Sequence, residues 1–328
     1  MRLALACNWL LRSSARGFNV AMFSTFLPAL ACAATLRPGD FVTVTWQSGS
    51  APCCQVFALD ATSLAASLIT SGGYIADPTD IAVTRDGNIL VAVPTAGVVR
   101  VDPASGHQTI FASVESLGGG APEGVLATPD EIYITIQGSQ PRIVRLNPDG
   151  SVAGVVSSGG LLAYPSGLAL GPDGALYVCE TIPVGWKPGG SLLRVDPVSG
   201  AQTLIASGDP IHGPLDAEFA PDGSLWSVQR GGLLHEKRGS IVRTRISDGF
   251  SELVEFGFNF VSGIAIRPDG LTVIADCASV HSDCEYPYTQ AYPDGPRVDW
   301  ISGSVAFVPD LVTPTTRTTW GRIKVIYR

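Results

Sequence analysis

Charge is scarce in this chain. Asp, Glu, Lys and Arg make up only 15% of its 328 residues, against about 25% in ordinary globular domains. The basic residues form no cluster, and the formal net charge is −8. Such a surface repels phosphate backbones and argues against nucleic-acid binding. No Cys-x-x-Cys pair exists, so a thiolate zinc site has no support. Gly-x-Ser-x-Gly, His-Glu-x-x-His, the phosphate-binding Gly-x-x-x-x-Gly-Lys and the helix–loop–helix calcium loop are all missing, which removes the commonest hydrolase, metalloprotease and nucleotide signatures. An apolar run from Phe18 to Ala34 is interrupted by Pro28 and is shorter than the roughly 20 residues of a membrane span.

That run does resemble a secretion signal. Arg2, Arg12 and Arg16 precede it, and it ends in small residues, Ala29-Leu-Ala31-Cys-Ala33-Ala34, where either Ala-x-Ala step suits a signal peptidase. Cys32 also approximates a lipoprotein cleavage site. The division expected is therefore a leader over 1–34 and a mature domain over 35–328, secreted or periplasmic. The leader carries three arginines and no acid, so its removal takes the charge from −8 to about −11. In an oxidising compartment Cys277 and Cys284 are expected to pair. Cys179, ending an apolar run, is expected to be a small buried hydrophobe.

Glycine (37) and proline (24) are abundant, and their placement is periodic. One turn type lies between two short apolar runs: Asp86-Gly87, Pro129-Asp130, Pro172-Asp173-Gly174, Pro221-Asp222-Gly223 and Pro268-Asp269-Gly270, with the Asp residues 44, 43, 49 and 47 positions apart. A second type ends another apolar run: Asp60-Ala-Thr-Ser, Asp102-Pro-Ala-Ser-Gly, Asn147-Pro-Asp-Gly, Asp196-Pro-Val-Ser-Gly and Ser247-Asp-Gly. Val308-Pro-Asp is a weaker sixth copy of this second type. Pro presets φ and Gly or Asn accepts positive φ, so both types are hairpin turns. Two hairpins per period of about 45 residues make one four-stranded propeller blade. The fold expected is all-β: a six-bladed β-propeller of four-stranded antiparallel blades. The first blade begins at what should be its second strand, Phe41-Val-Thr-Val-Thr, so ring closure is expected to use chain from both ends.

In such a blade the innermost strand is A and the outermost D. The D-to-A links and B–C loops then lie on one face. The long irregular segments, Glu180 to Gly190, Gln229 to Gly239 and Asp276 to Gly303, are all B–C loops of successive blades. Loops elaborated on one face of a regular scaffold are where binding sits. Two kinds of position should face the funnel there. Thr79, Glu123, Ser166, Leu215 and Ser262 precede strand A, followed by Asp80, Gly124, Gly167, Asp216 and Gly263. Glu180, Gln229 and Asp276 end strand B. Carboxylates converging from different blades suit a hard cation such as calcium or a general acid or base with a raised pKa. The same acids equally suit capping of strand ends and loop N–H groups. His212, in a D-to-A link, is placed to act as base or ligand. Trp186, Tyr164, Tyr286 and Tyr288 suit stacking on a sugar or packing beneath the long loop.

The units Pro165-Ser-Gly-Leu-Ala-Leu-Gly-Pro-Asp-Gly and Ser262-Gly-Ile-Ala-Ile-Arg-Pro-Asp-Gly resemble the NHL-repeat propellers and the gluconolactonase (regucalcin-like) superfamily, with its streptogramin-lyase relatives. The resemblance covers roughly 78–276. It implies a divalent metal held by a Glu before strand A, an Asn elsewhere and an Asp of a Pro-Asp-Gly unit. Glu123 matches the Glu. Ser166 and Ser262 stand where Asn is expected, and Asp216 falls one position late. The assignment expected is calcium, magnesium or zinc on Glu123, Asp216 and Asp276, with His212 and Glu180 catalytic in lactone or ester hydrolysis or lyase chemistry on a small or sugar-like substrate. The alternative is a non-catalytic propeller that binds a protein or glycan through the same face.

Overall fold

The computed structural model describes residues 35–45, 54–181, 189–230, 239–258, 261–277, 287–292 and 303–309, with backbone alone for 276–277 and 287–292. Runs of β-branched residues separated by tight turns give 23 strands and no helix among them. β1 (Phe41–Thr45), β2 (Gln55–Leu59) and β3 (Ala66–Ser71) lie in the first sheet. The second is β4 (Asp80–Val83), β5 (Ile89–Val93), β6 (Gly97–Val101) and β7 (Gln108–Ser113). The third is β8 (Ala121–Ala127), β9 (Ile132–Gln137), β10 (Arg142–Leu146) and β11 (Val152–Ser158). The fourth is β12 (Pro165–Leu170), β13 (Leu176–Glu180), β14 (Ser191–Val195) and β15 (Gln202–Ser207). The fifth is β16 (Pro214–Phe219), β17 (Leu225–Gln229), β18 (Gly239–Thr244) and β19 (Ser251–Phe258). A sixth sheet holds β20 (Val261–Ile266), β21 (Thr272–Cys277) and β22 (Pro287–Tyr292). The last strand, β23 (Gly303–Phe307), pairs with β1 and completes the first sheet.

The expectation of six four-stranded blades is thus met by five, and the sixth sheet has three strands among the described residues. All pairings within the sheets are antiparallel, as in a meander. The innermost strands β23, β4, β8, β12, β16 and β20 neighbour one another in a closed cycle. Chain from both ends closes the ring, as the truncated first unit predicts: β23 supplies the inner strand of the first sheet. Val308 donates its N–H to the Asp40 carbonyl and Gly39 returns one to Val308, fixing the closing strand at its far end.

Apolar residues fill the space between each pair of neighbouring sheets. Ile89, Val91 and Val93 of β5 face the first sheet, where they join Val42, Val56 and Ile69. Leu90 and Ala92 face the third, meeting Ile134, Val144 and Leu146. A strand covered on both sides reads as an unbroken apolar run, which is why β5 (ILVAV) shows no alternation and is buried throughout. The ring closes through Phe41, Leu59 and Val305 against Ala265, Val273 and Ala275.

The outer turns interlock through glycine. A Cβ on Gly150 would stand 2.0 Å from the Phe111 carbonyl oxygen, on Gly200 2.4 Å from that of Val156, and on Gly249 2.2 Å from that of Ile205, and all three have positive φ. The C–D turn of each of these blades therefore rests directly on the outermost strand of the blade before it. Only glycine satisfies both the backbone angle and the contact.

Candidate functional site at the mouth of the central channel

The inner strands expose one edge of their backbone to the channel, and the buried acids serve that edge. Asp80 accepts the N–H of Ile81 in its own strand and, through its other oxygen, that of Val125 in the next, both at 2.8 Å; Ser304 of the closing strand donates its hydroxyl to it at 2.6 Å. Asp216, on the opposite side of the ring, accepts Ala217 N–H at 2.8 Å and Ile264 N–H at 3.0 Å. Each carboxylate thus ties its blade to the next, and Asp80 also latches the ring shut. Close approach is essential: a Cβ on Gly167 would lie 2.5 Å from Asp216 Oδ1. The capping role is what these two acids perform.

Burial raises both carboxyls above the ordinary range. Ser304 and backbone N–H groups oppose the rise at Asp80, while the proximity of Asp80 adds to it at Asp216. Glu218, two positions beyond Asp216 and hence on the same side of β16, is pushed up to about 7 by burial, with Asp80 adding to the rise. The other inner strands carry alanine or leucine at its position, Ala82, Leu126, Ala169, Ala265 and Ala306. That contrast was available in the sequence and marks Glu218 as exceptional.

Glu123 stands at the mouth, on β8, half-buried. Desolvation raises its carboxyl to about 7; the Arg230 guanidinium pulls it down and Asp80 pushes it up. Arg230, just beyond β17 with its N–H on the Gly213 carbonyl, is the residue sequence reasoning missed. Its only signal was its place immediately after Gln229, a position already assigned to the funnel. Around these groups the links are tied together by short polar side chains. Thr181 donates to Ser166, and both hydroxyls also reach the Pro214 carbonyl. Thr79 reaches the carbonyls of Ala92 and Pro122.

Glu180 ends β13 and is 1% exposed. One oxygen accepts the N–H groups of Ala163 and Tyr164 at 2.9 and 2.8 Å; the other is buried without a hydrogen-bond partner. Burial lifts this carboxyl to about 7. In this position Glu180 anchors the link entering the fourth blade. His212 is 15% exposed: its Nε2 lies 2.9 Å from Asp209 Oδ1 and its N–H bonds the buried Gln229 amide oxygen at 3.0 Å. Cys179 is fully buried beside Tyr177 and Leu192, and burial drives its thiol up.

The predicted site residues are therefore gathered only in part. Glu123 faces the mouth with Arg230 and Asp80 in electrostatic reach, Asp216 lies within the ring, and Glu180 and His212 are held in separate links. Among the described residues no three His, Cys, Asp or Glu side chains converge on a cation position, and both Asp216 oxygens already accept backbone N–H groups. The Asp276 side chain, Cys284, Trp186, Tyr286 and most of the three long loops lie outside the described residues, as does the side chain of Tyr288.

Comparison with solved structures agrees on architecture. The fold matches a nidogen/laminin complex at a TM-score of 0.64, with 14% identity over 84% of this chain and 100% of the other. It matches TolB from Acinetobacter baumannii at 0.57, with 14% identity over 83% and 67%. The PQQ-bound aldose sugar dehydrogenase of Streptomyces coelicolor matches at 0.51, with 16% identity over 73% and 86%. No protein-family model matches the chain, and no curated protein matches it in sequence. The chain is a β-propeller. At these identities the likeness carries the fold and leaves activity to the site.

Proposed function

We propose that this is an exported propeller whose channel mouth binds a small polar, sugar-like ligand, with Glu123 as the proton-handling group. On this reading residues 1–34 are the leader, 35–328 the mature domain, and the three-stranded sheet is the sixth blade of an NHL- or gluconolactonase-like ring. The observation that carries it is the electrostatic setting of Glu123. A carboxyl raised to about 7, half-accessible and facing an arginine from two blades away, exchanges a proton near neutral pH, where a general acid or base is most effective. Arg230 would hold an anionic or strongly polar group of the ligand, while the buried Asp80 and Asp216 keep the ring rigid beneath it. Hydrolysis of a lactone or ester, or elimination, are the reactions such a pair suits.

The test is turnover on a panel of sugar lactones, esters and uronic-acid glycosides by the wild type and by Glu123→Gln. The proposal expects a rate loss of about a hundredfold or more in the variant, with the unfolding midpoint preserved. Turnover unchanged by Glu123→Gln would remove Glu123 from the chemistry. A second reading is a protein- or glycan-binding propeller using the same face. It is supported by the likeness to a propeller solved as a nidogen/laminin complex. It expects binding without turnover, sensitive to Arg230 and to the loop aromatics.

A further inference from the structure

The face opposite the channel mouth carries a second candidate site. Four blades present an arginine at the same place in their third strand: Arg100, Arg145, Arg194 and Arg243. Three are neutralised by an acid of their own blade's A–B hairpin. Arg145 pairs with Glu131 at 2.8 Å, Arg194 with Asp173 at 2.8 Å, and Arg243 with Asp222 at 2.6 Å. The matching acid in the second blade is Asp86. Its oxygens are taken by the Thr84 hydroxyl and, at 2.8 Å, by the amide of Asn88. The fourth blade has Ala175 where the second has Asn88, and there the aspartate is left for the arginine. Arg100 makes no ion pair among the described residues. Its guanidinium lies over the Phe111 ring, 5.8 Å from the centroid.

This arginine lines a cleft of about 500 Å³ between the second and third blades, together with Phe111, Leu90, Pro129, Ile132 and Leu146. That volume lies in the range of small-molecule sites, which combine apolar walls with few polar groups. None of the three acids that line it, Asp86, Asp130 and Glu131, forms an ion pair with Arg100: Asp86 is held as above, and Glu131 is held by Arg145 and by the Tyr133 hydroxyl. Arg85 lines the same cleft; a site with a planar cation that pairs with no acid, an aromatic face and an aliphatic wall recognises a flat apolar body bearing a carboxylate. From this combination we infer that the cleft between the second and third blades binds a small aromatic carboxylate, its anion on Arg100 and its ring against Phe111.

The probe is 2-naphthoate, followed by calorimetry or ligand fluorescence on the full chain, with the neutral 2-naphthamide as control. The wild type should bind one naphthoate per chain, at least tenfold more tightly than the amide. Arg100→Gln should weaken naphthoate at least tenfold and leave the amide unchanged. Asn88→Ala frees Asp86 to neutralise Arg100, as Asp173 neutralises Arg194, and should weaken naphthoate at least fivefold without lowering the thermal midpoint. The inference is overturned if naphthoate binding is absent or non-saturable, if Arg100→Gln leaves it intact, or if that variant weakens acid and amide alike.

Discussion

Replacing Glu180 by glutamine should change how stability depends on pH. In the folded protein this carboxyl titrates at about 7 rather than its ordinary 4.5, because one oxygen is buried without a partner. A raised carboxyl holds its proton in the folded state across that interval while the unfolded chain has already lost it. Its stabilising contribution is thus fully present below pH 4.5 and is lost as pH rises through about 7. A shift of roughly 2.5 units at about 1.4 kcal/mol each gives a total loss of about 3.5 kcal/mol, most of it between pH 5 and pH 8. Glutamine can still accept the N–H groups of Ala163 and Tyr164 but cannot ionise. It leaves an amide donor facing the unpartnered side, at a pH-independent cost of about 1–3 kcal/mol. Urea unfolding of both proteins at pH 5, 6, 7 and 8 should therefore converge toward neutrality. The variant starts less stable at pH 5 and gains about 3 kcal/mol on the wild type by pH 8. Other titrating groups affect both proteins and cancel in the difference. Curves that stay parallel across the range would show that Glu180 does not carry a raised pKa.

Other expectations follow from particular contacts. Gly150→Ala forces a Cβ against the Phe111 carbonyl at positive φ and should cost about 2–4 kcal/mol, seen as a lowered thermal midpoint. Ser304→Ala removes the hydroxyl from Asp80; it should cost about 1–2 kcal/mol and speed amide exchange in the closing strand more than in the third blade, where equal acceleration would deny the latch. The cation expectation has its own test. Elemental analysis of the purified chain should find about one calcium, magnesium or zinc that Glu123→Gln removes if Glu123 ligates a metal, and none retained in either protein if it does not.

Most of the architecture was legible in the sequence because turn chemistry is local. Pro-Asp-Gly and Asp-Pro-x-Ser-Gly units specify hairpins whatever surrounds them, so strands such as Asp80–Val83 and Arg142–Leu146 fall where the spacing put them. The truncated first blade was legible for the same reason. The site was less so, because a carboxylate's role depends on what its second oxygen meets. Asp80 and Asp216 look like ligands when counted as acids. Only the closed ring reveals that each one caps the inner edge of the neighbouring strand. Arg230 acts on Glu123 from two blades away, a distance no sequence spacing encodes. The Arg100 cleft depends on a single Asn88 that captures a neighbouring aspartate, a local event whose meaning appears only beside the other three blades.

The most direct test of the proposed site is the titration of Glu123 itself, followed by carbon-13 NMR of its labelled carboxyl in the wild type and in Arg230→Gln. A midpoint near 7 that rises further when the arginine is removed is the result predicted for a desolvated carboxyl held in check by that cation. A midpoint near the ordinary 4.5, indifferent to Arg230, would contradict it and leave the channel mouth without its proton-handling group.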